Sequence, residues 1–143
     1  MTTALEVRNL TVDLAGGAVR PVDGVSFAIN QGETYALLGE SGCGKSMTAL
    51  ALMRLLPDGG RISGGSVRLA GENLLALPES GMRDVRGGRL GMIFQEPMLA
   101  LNPVMTVGGQ IVEALARHRS LSGEAARTEA RRWLDAVGVP DAA

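Results

Sequence analysis

The stretch Gly39-Glu40-Ser41-Gly42-Cys43-Gly44-Lys45-Ser46 constrains this chain more than any other. Glycines so closely spaced disfavour a regular helix or strand and allow backbone angles that other residues avoid. The flanks narrow the choice. Before the loop stands Thr34-Tyr35-Ala36-Leu37-Leu38, a short apolar run with no polar face, as a central parallel strand reads. After it, residues 45–56 are predicted helical. Met47, Ala49, Leu50, Ala51, Leu52, Met53, Leu55 and Leu56 leave almost no polar side, so burial on most sides is expected. Pro57-Asp58-Gly59-Gly60 ends the helix. Strand, glycine loop and buried helix together predict an α/β core.

Lys45 is the only lysine; the thirteen other basic residues are arginine. An ammonium is a compact charge on a flexible stem, whereas guanidinium is a rigid planar fork. A chain with arginine at every other basic position has a lysine at the end of this loop, and the pattern matches a phosphate-binding loop. There, glycines let backbone N–H groups approach phosphate oxygens, and a helix N-terminus adds further donors and a favourable dipole. The lysine reaches the β- and γ-phosphates and the hydroxyl of Ser46 holds Mg2+. The candidate nucleotide-binding set is therefore Gly39, Glu40, Ser41, Gly42, Cys43, Gly44, Lys45, Ser46 and Met47. Cys43 is read as offering its backbone N–H while its thiol stays passive. The loop alone says only that a nucleoside triphosphate binds.

At 143 residues the chain has the length of one domain or part of a larger one. Aromatics are 3%, so Leu, Val, Ile, Met and Ala must build the core. A net charge of −1 gives no electrostatic footprint for nucleic acid. No N-terminal targeting segment is recognised, and the apolar stretch 49–53 stops at Arg54, far short of a membrane span. One cysteine suits a reducing compartment. The expected location is the cytoplasm, with docking onto a membrane protein left open.

Elsewhere, residues 5–12 and 25–29 alternate apolar and polar as half-buried strands do, as does Ser66-Val67-Arg68-Leu69. Residues 78–86 are predicted to form a short helix. Residues 90–94 are a second apolar run and a second candidate for the central sheet. From Thr106 the period becomes helical through Val107, Ile111, Val112 and Leu115. A last helix starts near Ser122, with Ala126, Ala130, Trp133, Leu134 and Val137 as its apolar stripe and Gly138 and Pro140 as its end. His118, between Arg117 and Arg119, is read as a solvated helix residue, and Ser122 as a helix cap.

About fifty residues beyond the loop, Gly91-Met92-Ile93-Phe94-Gln95-Glu96-Pro97 resembles the Q-loop of ATP-binding cassette ATPases. Val22-Asp23-Gly24-Val25-Ser26-Phe27, the loop with Thr48-Ala49-Leu50, and Leu101-Asn102-Pro103-Val104-Met105-Thr106 extend the match. As a set, spanning residues 5–140, they are similar to the ATP-binding subunits of oligopeptide, dipeptide and nickel importers. The resemblance implies a P-loop NTPase fold: an N-terminal antiparallel β part, a partial parallel core sheet and the start of a helical subdomain. The corresponding division is 1–96 for the ATP-binding core and 97–143 for the helical part. It further implies ATP and Mg2+ as ligands, with Lys45 and Gln95 in catalytic roles. Ser46 and Gln95 would bind the metal, and Gln95 would also lie near the attacking water. The implied partners are membrane-spanning permease subunits, a second ATP-binding subunit as homo- or heterodimer, and indirectly a solute-binding protein. The implied location is the cytoplasmic face of the membrane.

The family places an aromatic under the adenine shortly after the first strand. No aromatic precedes Val25 here, and by offset the position is Val19, which offers only an apolar surface. The sequence ends at Ala143, ahead of the family's signature phrase, acidic Walker B strand and switch histidine. Leu121-Ser122-Gly123 lacks the second glycine and the glutamine of that signature. The expectation is therefore an N-terminal part of a longer ATPase, poorly stable alone and not turning over ATP. Two other readings share the loop. A soluble P-loop kinase would need a lid and acceptor site, and a chromosome-maintenance ATPase would need coiled-coil heptads or zinc-binding cysteine pairs. A non-catalytic nucleotide-binding module would bind ATP without hydrolysis.

Overall fold

The computed structural model describes residues 2–96 and 100–139; Pro97 and Pro140, invoked above, lie outside them. The chain forms two compact units, Met1–Arg83 and Asp84–Ala143. In the first, β1 (Thr3–Leu14), β2 (Val19–Asn30), β3 (Arg61–Leu69) and β4 (Glu72–Asn73) make one antiparallel sheet in the order β2-β1-β3-β4. A 3-10 turn at Ala15–Gly17 joins the first two strands, and α1 (Lys45–Leu52) follows the glycine loop.

β1 is central, and its side chains set the register. Val7 stands opposite Phe27 on one side and Val67 on the other, and Val12 opposite Val22 and Ile62. Leu5, Val7, Leu10 and Val12 are all buried, although period two would put Leu10 on the wrong face. The sheet resolves this with a bulge between Val7 and Leu10, where Asn9 takes a left-handed conformation (φ 47°). The hydroxyl of Ser26 accepts from the Asn9 N–H at 2.7 Å, giving the displaced donor a partner.

Asp13 is buried at the end of β1, only 3% exposed. The Nε–H of Arg20 on β2 donates to one carboxylate oxygen at 2.9 Å, and Arg61 on β3 approaches the other at 3.4 Å. One carboxylate thus ties three strands. The Arg20 hydrogen bond, with contributions from Ser63 and Arg61, holds this carboxyl below the usual range, against the opposite pull of burial. A depressed folded-state pKa means the stabilisation is complete above the ordinary value of 3.8 and is lost as pH falls through the folded value. Thermal melts followed by circular dichroism are expected to drop more steeply below about pH 4 for the native chain than for Asp13→Asn. Parallel curves would remove Asp13 from the acid response.

α1 begins where expected but ends at Leu52, not Leu56. Arg54 turns left-handed (φ 52°), and the Leu55 N–H donates to the Leu50 carbonyl at 2.9 Å, closing the helix. The Arg54 guanidinium donates to the Leu77 carbonyl at 2.6 Å and the Leu74 carbonyl at 3.3 Å, anchoring that turn. Within the helix only Thr48 and Ala51 are buried, so the expected burial on most sides is not found.

Nor is the parallel core formed among the described residues. Residues 34–38 and 91–94 lie outside every strand, and the parallel pairing present is an isolated bridge between Arg86 and Leu90. Leu38 is 88% exposed and Ile93 93%. A parallel strand needs a hydrogen-bonded neighbour and a covering layer on each face. No described residue supplies them. Tyr35 instead stacks on Phe27 of β2, ring centroids 5.1 Å apart.

The second unit holds α3 (Val107–Arg119) and α4 (Gly123–Ala136); the short α2 (Glu79–Val85) straddles the boundary. Leu115, Ala126 and Ala130 form its buried core, with Ile111, Val112 and Leu121 packed against it. The Thr106 hydroxyl accepts from the Gly109 N–H at 3.1 Å and caps α3. Ser122 occupies the cap position of α4 as expected, but its side chain accepts no capping hydrogen bond. Among the described residues no helix is long and apolar enough to cross a membrane.

Candidate functional site

The loop 39–46 joins the irregular segment 34–38 to α1. Its geometry follows from two glycines. At Gly44, φ is +94°, and an added Cβ would run into the carbonyl oxygen of Pro21 on β2. The loop is therefore seated directly on the sheet, which only a residue without a side chain permits. At Gly39, an added Cβ would collide with the Cys43 sulfur, so the thiol folds back across the loop's first residue. Cys43 is exposed, and its N–H donates to the Glu40 carbonyl at 3.3 Å.

The Lys45 ammonium closes the ring. It donates to the carbonyl oxygens of Gly39 and Glu40, each at 2.6 Å, and stands 3.4 Å from the Cys43 sulfur. The ammonium of the chain's one lysine is thus held across the loop by backbone, with no carboxylate in an ion pair with it among the described residues. At the start of α1 the first intrahelical bond is Thr48 N–H to Gly44 carbonyl, 2.8 Å, and no side chain caps the helix. The N–H groups of Lys45, Ser46 and Met47 precede it and have no intrahelical acceptor. Free helix-start donors, a helix dipole and a full positive charge thus lie together on one short exposed loop, an arrangement suited to a polyanion.

Ser46 is exposed on the first turn, and its hydroxyl makes no hydrogen bond to a described residue. Among the described residues no group of three His, Cys, Asp or Glu side chains could hold a metal ion. One hydroxyl, shared with ligand oxygens and water, is compatible with magnesium bound together with phosphate. The loop's residues fit that pair of ligands on this ground.

Val19, the first residue of β2, pairs with Leu14 and is 52% exposed. It lies two residues before Pro21, about 7 Å along the strand from the oxygen that abuts Gly44. An open apolar surface therefore stands on the strand against which the loop packs. Gln95 belongs to the second unit, exposed, on the irregular segment after Leu90.

Sequence reasoning missed His118. Far from being solvated, it is half-buried, its imidazole over two consecutive glycines. A Cβ on Gly87 would come within 2.7 Å of its Nε2, and one on Gly88 within 3.2 Å of its Nδ1. The available signal was the Gly87-Gly88 pair itself, although the left-handed φ of +82° at Gly87 is a reason for glycine there as well. Gln110 was missed too. Its amide accepts from the Asn102 N–H at 3.0 Å and donates to the Asn102 and Met105 carbonyls at 3.1 and 3.3 Å.

Comparison with known proteins bears on the family of the chain. The family described as ABC transporter matches residues 22–143. A dipeptide transport ATP-binding protein of Bacillus subtilis is 46% identical over 99% of this chain and 43% of its own length. Oligopeptide transport ATP-binding proteins of Bacillus subtilis and Salmonella typhimurium are 45% and 46% identical, over 98% and 96% of this chain and 40% and 42% of their own lengths. The chain thus spans about two fifths of the length of these curated relatives. With its glycine loop seated on the antiparallel sheet and a match across most of its residues, the chain belongs to the ABC transporter family of ATP-binding domains.

Proposed function

We propose that residues 39–47 hold the phosphate chain of ATP with Mg2+, and that the protein couples this binding to solute import through a membrane permease. The observation that carries the reading is Lys45: one ammonium, fixed by two loop carbonyls at 2.6 Å, beside an uncapped helix start. The phosphates would exchange places with those carbonyls as its partners, gaining charge-assisted hydrogen bonds. Ser46 would contribute one magnesium ligand, Gln95 a second, and Gln95 would also orient the attacking water. Val19 would supply an apolar surface to the base.

The names of the relatives speak for peptides as the class of solute rather than nickel. Permease subunits, a second ATP-binding subunit and a solute-binding protein are the partners this role requires. Residues 1–96 would be the ATP-binding core and 97–143 the part turned to the permease, working at the cytoplasmic face of the membrane. Phosphoryl transfer depends on positioning and electrostatics, so each of these groups acts by placing charge rather than by forming bonds.

Calorimetric titration tests the reading. ATP is expected to bind more tightly with magnesium than without, and AMP, lacking the β- and γ-phosphates, to bind far more weakly. Ser46→Ala should remove most of the magnesium-dependent gain, about tenfold in affinity, while leaving metal-free ATP binding nearly unchanged. Equal affinity for AMP and ATP would end the proposal.

A further inference from the structure

Helix α3 grips both ends of the segment that carries Gln95. Toward its C-terminus, His118 covers Gly87 and Gly88, and the neighbouring Arg117 forms an ion pair with Asp84. The covered turn is itself closed: the Gly87 N–H donates to the Leu90 carbonyl at 3.0 Å, and the Arg89 and Leu90 N–H groups donate to the Val85 carbonyl at 2.9 and 3.0 Å. Gly87 sits at φ +82°, so the turn and the ring above it fit only because no side chain intervenes. Toward its N-terminus, Gln110 makes the three hydrogen bonds that hold Asn102 and Met105. The Asn102 side chain in turn accepts from the Val104 N–H at 3.1 Å.

Gln110 and His118 are about 12 Å apart along the helix axis and close to one face of it. Gln95 lies in sequence between the two stretches they hold. We infer that His118 and Gln110 are positioning residues for Gln95: α3 is a stiff bar to which both roots of the Gln95 segment are fastened, so that the bar sets where that segment starts and returns. Neither residue touches nucleotide in this scheme. Each acts through the backbone it holds; Gly87 leaves room for the imidazole, while at Gly88 an added Cβ would meet the Asp84 carbonyl oxygen at 2.7 Å before it met the ring. The consequence for magnesium binding rests on the role given to Gln95 above; the fastening itself does not.

Hydrogen–deuterium exchange on the full 143-residue chain, without nucleotide, tests the fastening. His118→Ala is expected to speed exchange in peptides covering 86–96 by about fivefold or more, leaving β1 and β3 unchanged. Gln110→Ala should do the same for 102–106. His118→Phe keeps a flat ring over the two glycines and is expected to exchange like the native chain. In the same peptides, Gly87→Ala should be more damaging with His118 present than in the His118→Ala background, because the ring is what the new methyl meets. Unchanged exchange in His118→Ala, or His118→Phe behaving like His118→Ala, overturns the inference. Should His118→Ala unfold the chain, the phenylalanine variant and the Gly87 comparison still decide.

A second readout tests positioning rather than mere packing. In His118→Ala the magnesium-dependent gain in ATP affinity is expected to shrink several-fold while metal-free affinity holds. An intact gain alongside loosened exchange would reduce His118 to a packing residue and overturn its positioning role. Absence of any magnesium effect in the native chain would instead defeat the nucleotide reading, with the exchange data still judging the fastening.

Discussion

Lys45→Ala is expected to lower ATP affinity by about two orders of magnitude without changing the melting temperature of the chain. The affinity loss follows from removing charge-assisted hydrogen bonds to phosphate, each contributing roughly 1.5–3 kcal/mol. The unchanged stability follows from exposure. The Gly39 and Glu40 carbonyls that now accept from Nζ lie at the surface and would be hydrated when the ammonium goes. Lys45→Arg should fare little better than alanine, because a planar fork cannot replace a point charge in the same small ring. Fluorescence titration with a nucleotide analogue, paired with a thermal melt, checks both halves. Undiminished affinity in Lys45→Ala would remove the basis of the functional reading.

Gly44→Ala is expected to be the most damaging small substitution in the loop, costing about 3 kcal/mol of stability and lowering the melting temperature by about 10 °C or more. Two effects add there. The backbone is left-handed, and the new methyl meets the Pro21 carbonyl, which is fixed by the sheet and cannot swing aside as a flexible side chain would. Gly42→Ala is the control. Gly42 also has a positive φ, +83°, but nothing lies within 4 Å of its added Cβ, so only the conformational strain of about 1 kcal/mol is expected. Equal melting temperatures for the two variants would show that contact with β2 does not shape the loop.

The parts of this fold that were readable in the sequence are those decided locally. Alternation gave β1, β2 and β3, helical period gave α3 and α4, and the glycine spacing gave the loop. The bulge at Asn9 was not read from the simple alternation of residues 5–12, although Arg8 and Asn9 stand together where alternation allows one polar residue. What sequence could not supply was partnership. The runs at 34–38 and 90–94 show side chains suited to burial on both faces, yet a strand also needs neighbours for its backbone, and apolar character says nothing about where they come from. Burial of Asp13 was hidden for the same reason, because the two arginines that make it tolerable lie seven and forty-eight residues away. His118 looked solvated because its neighbours in sequence are charged; the glycines beneath it are thirty residues upstream. The candidate site divides in the same manner. The loop is contiguous and its glycine spacing was legible, whereas the contacts of His118 and Gln110 are assembled from distant pieces.

Poverty in aromatic residues leaves the chain with two natural optical reporters, one in each unit. The single tyrosine, Tyr35, is stacked on Phe27 within Met1–Arg83, and the single tryptophan, Trp133, lies partly open on α4 within Asp84–Ala143. Selective excitation of the indole therefore follows the helical half alone, while the phenol, whose weaker absorption overlaps the indole's, reports on the sheet only by difference once the indole's change is subtracted. Whether the halves come apart in one step or two can be watched in the unlabelled molecule.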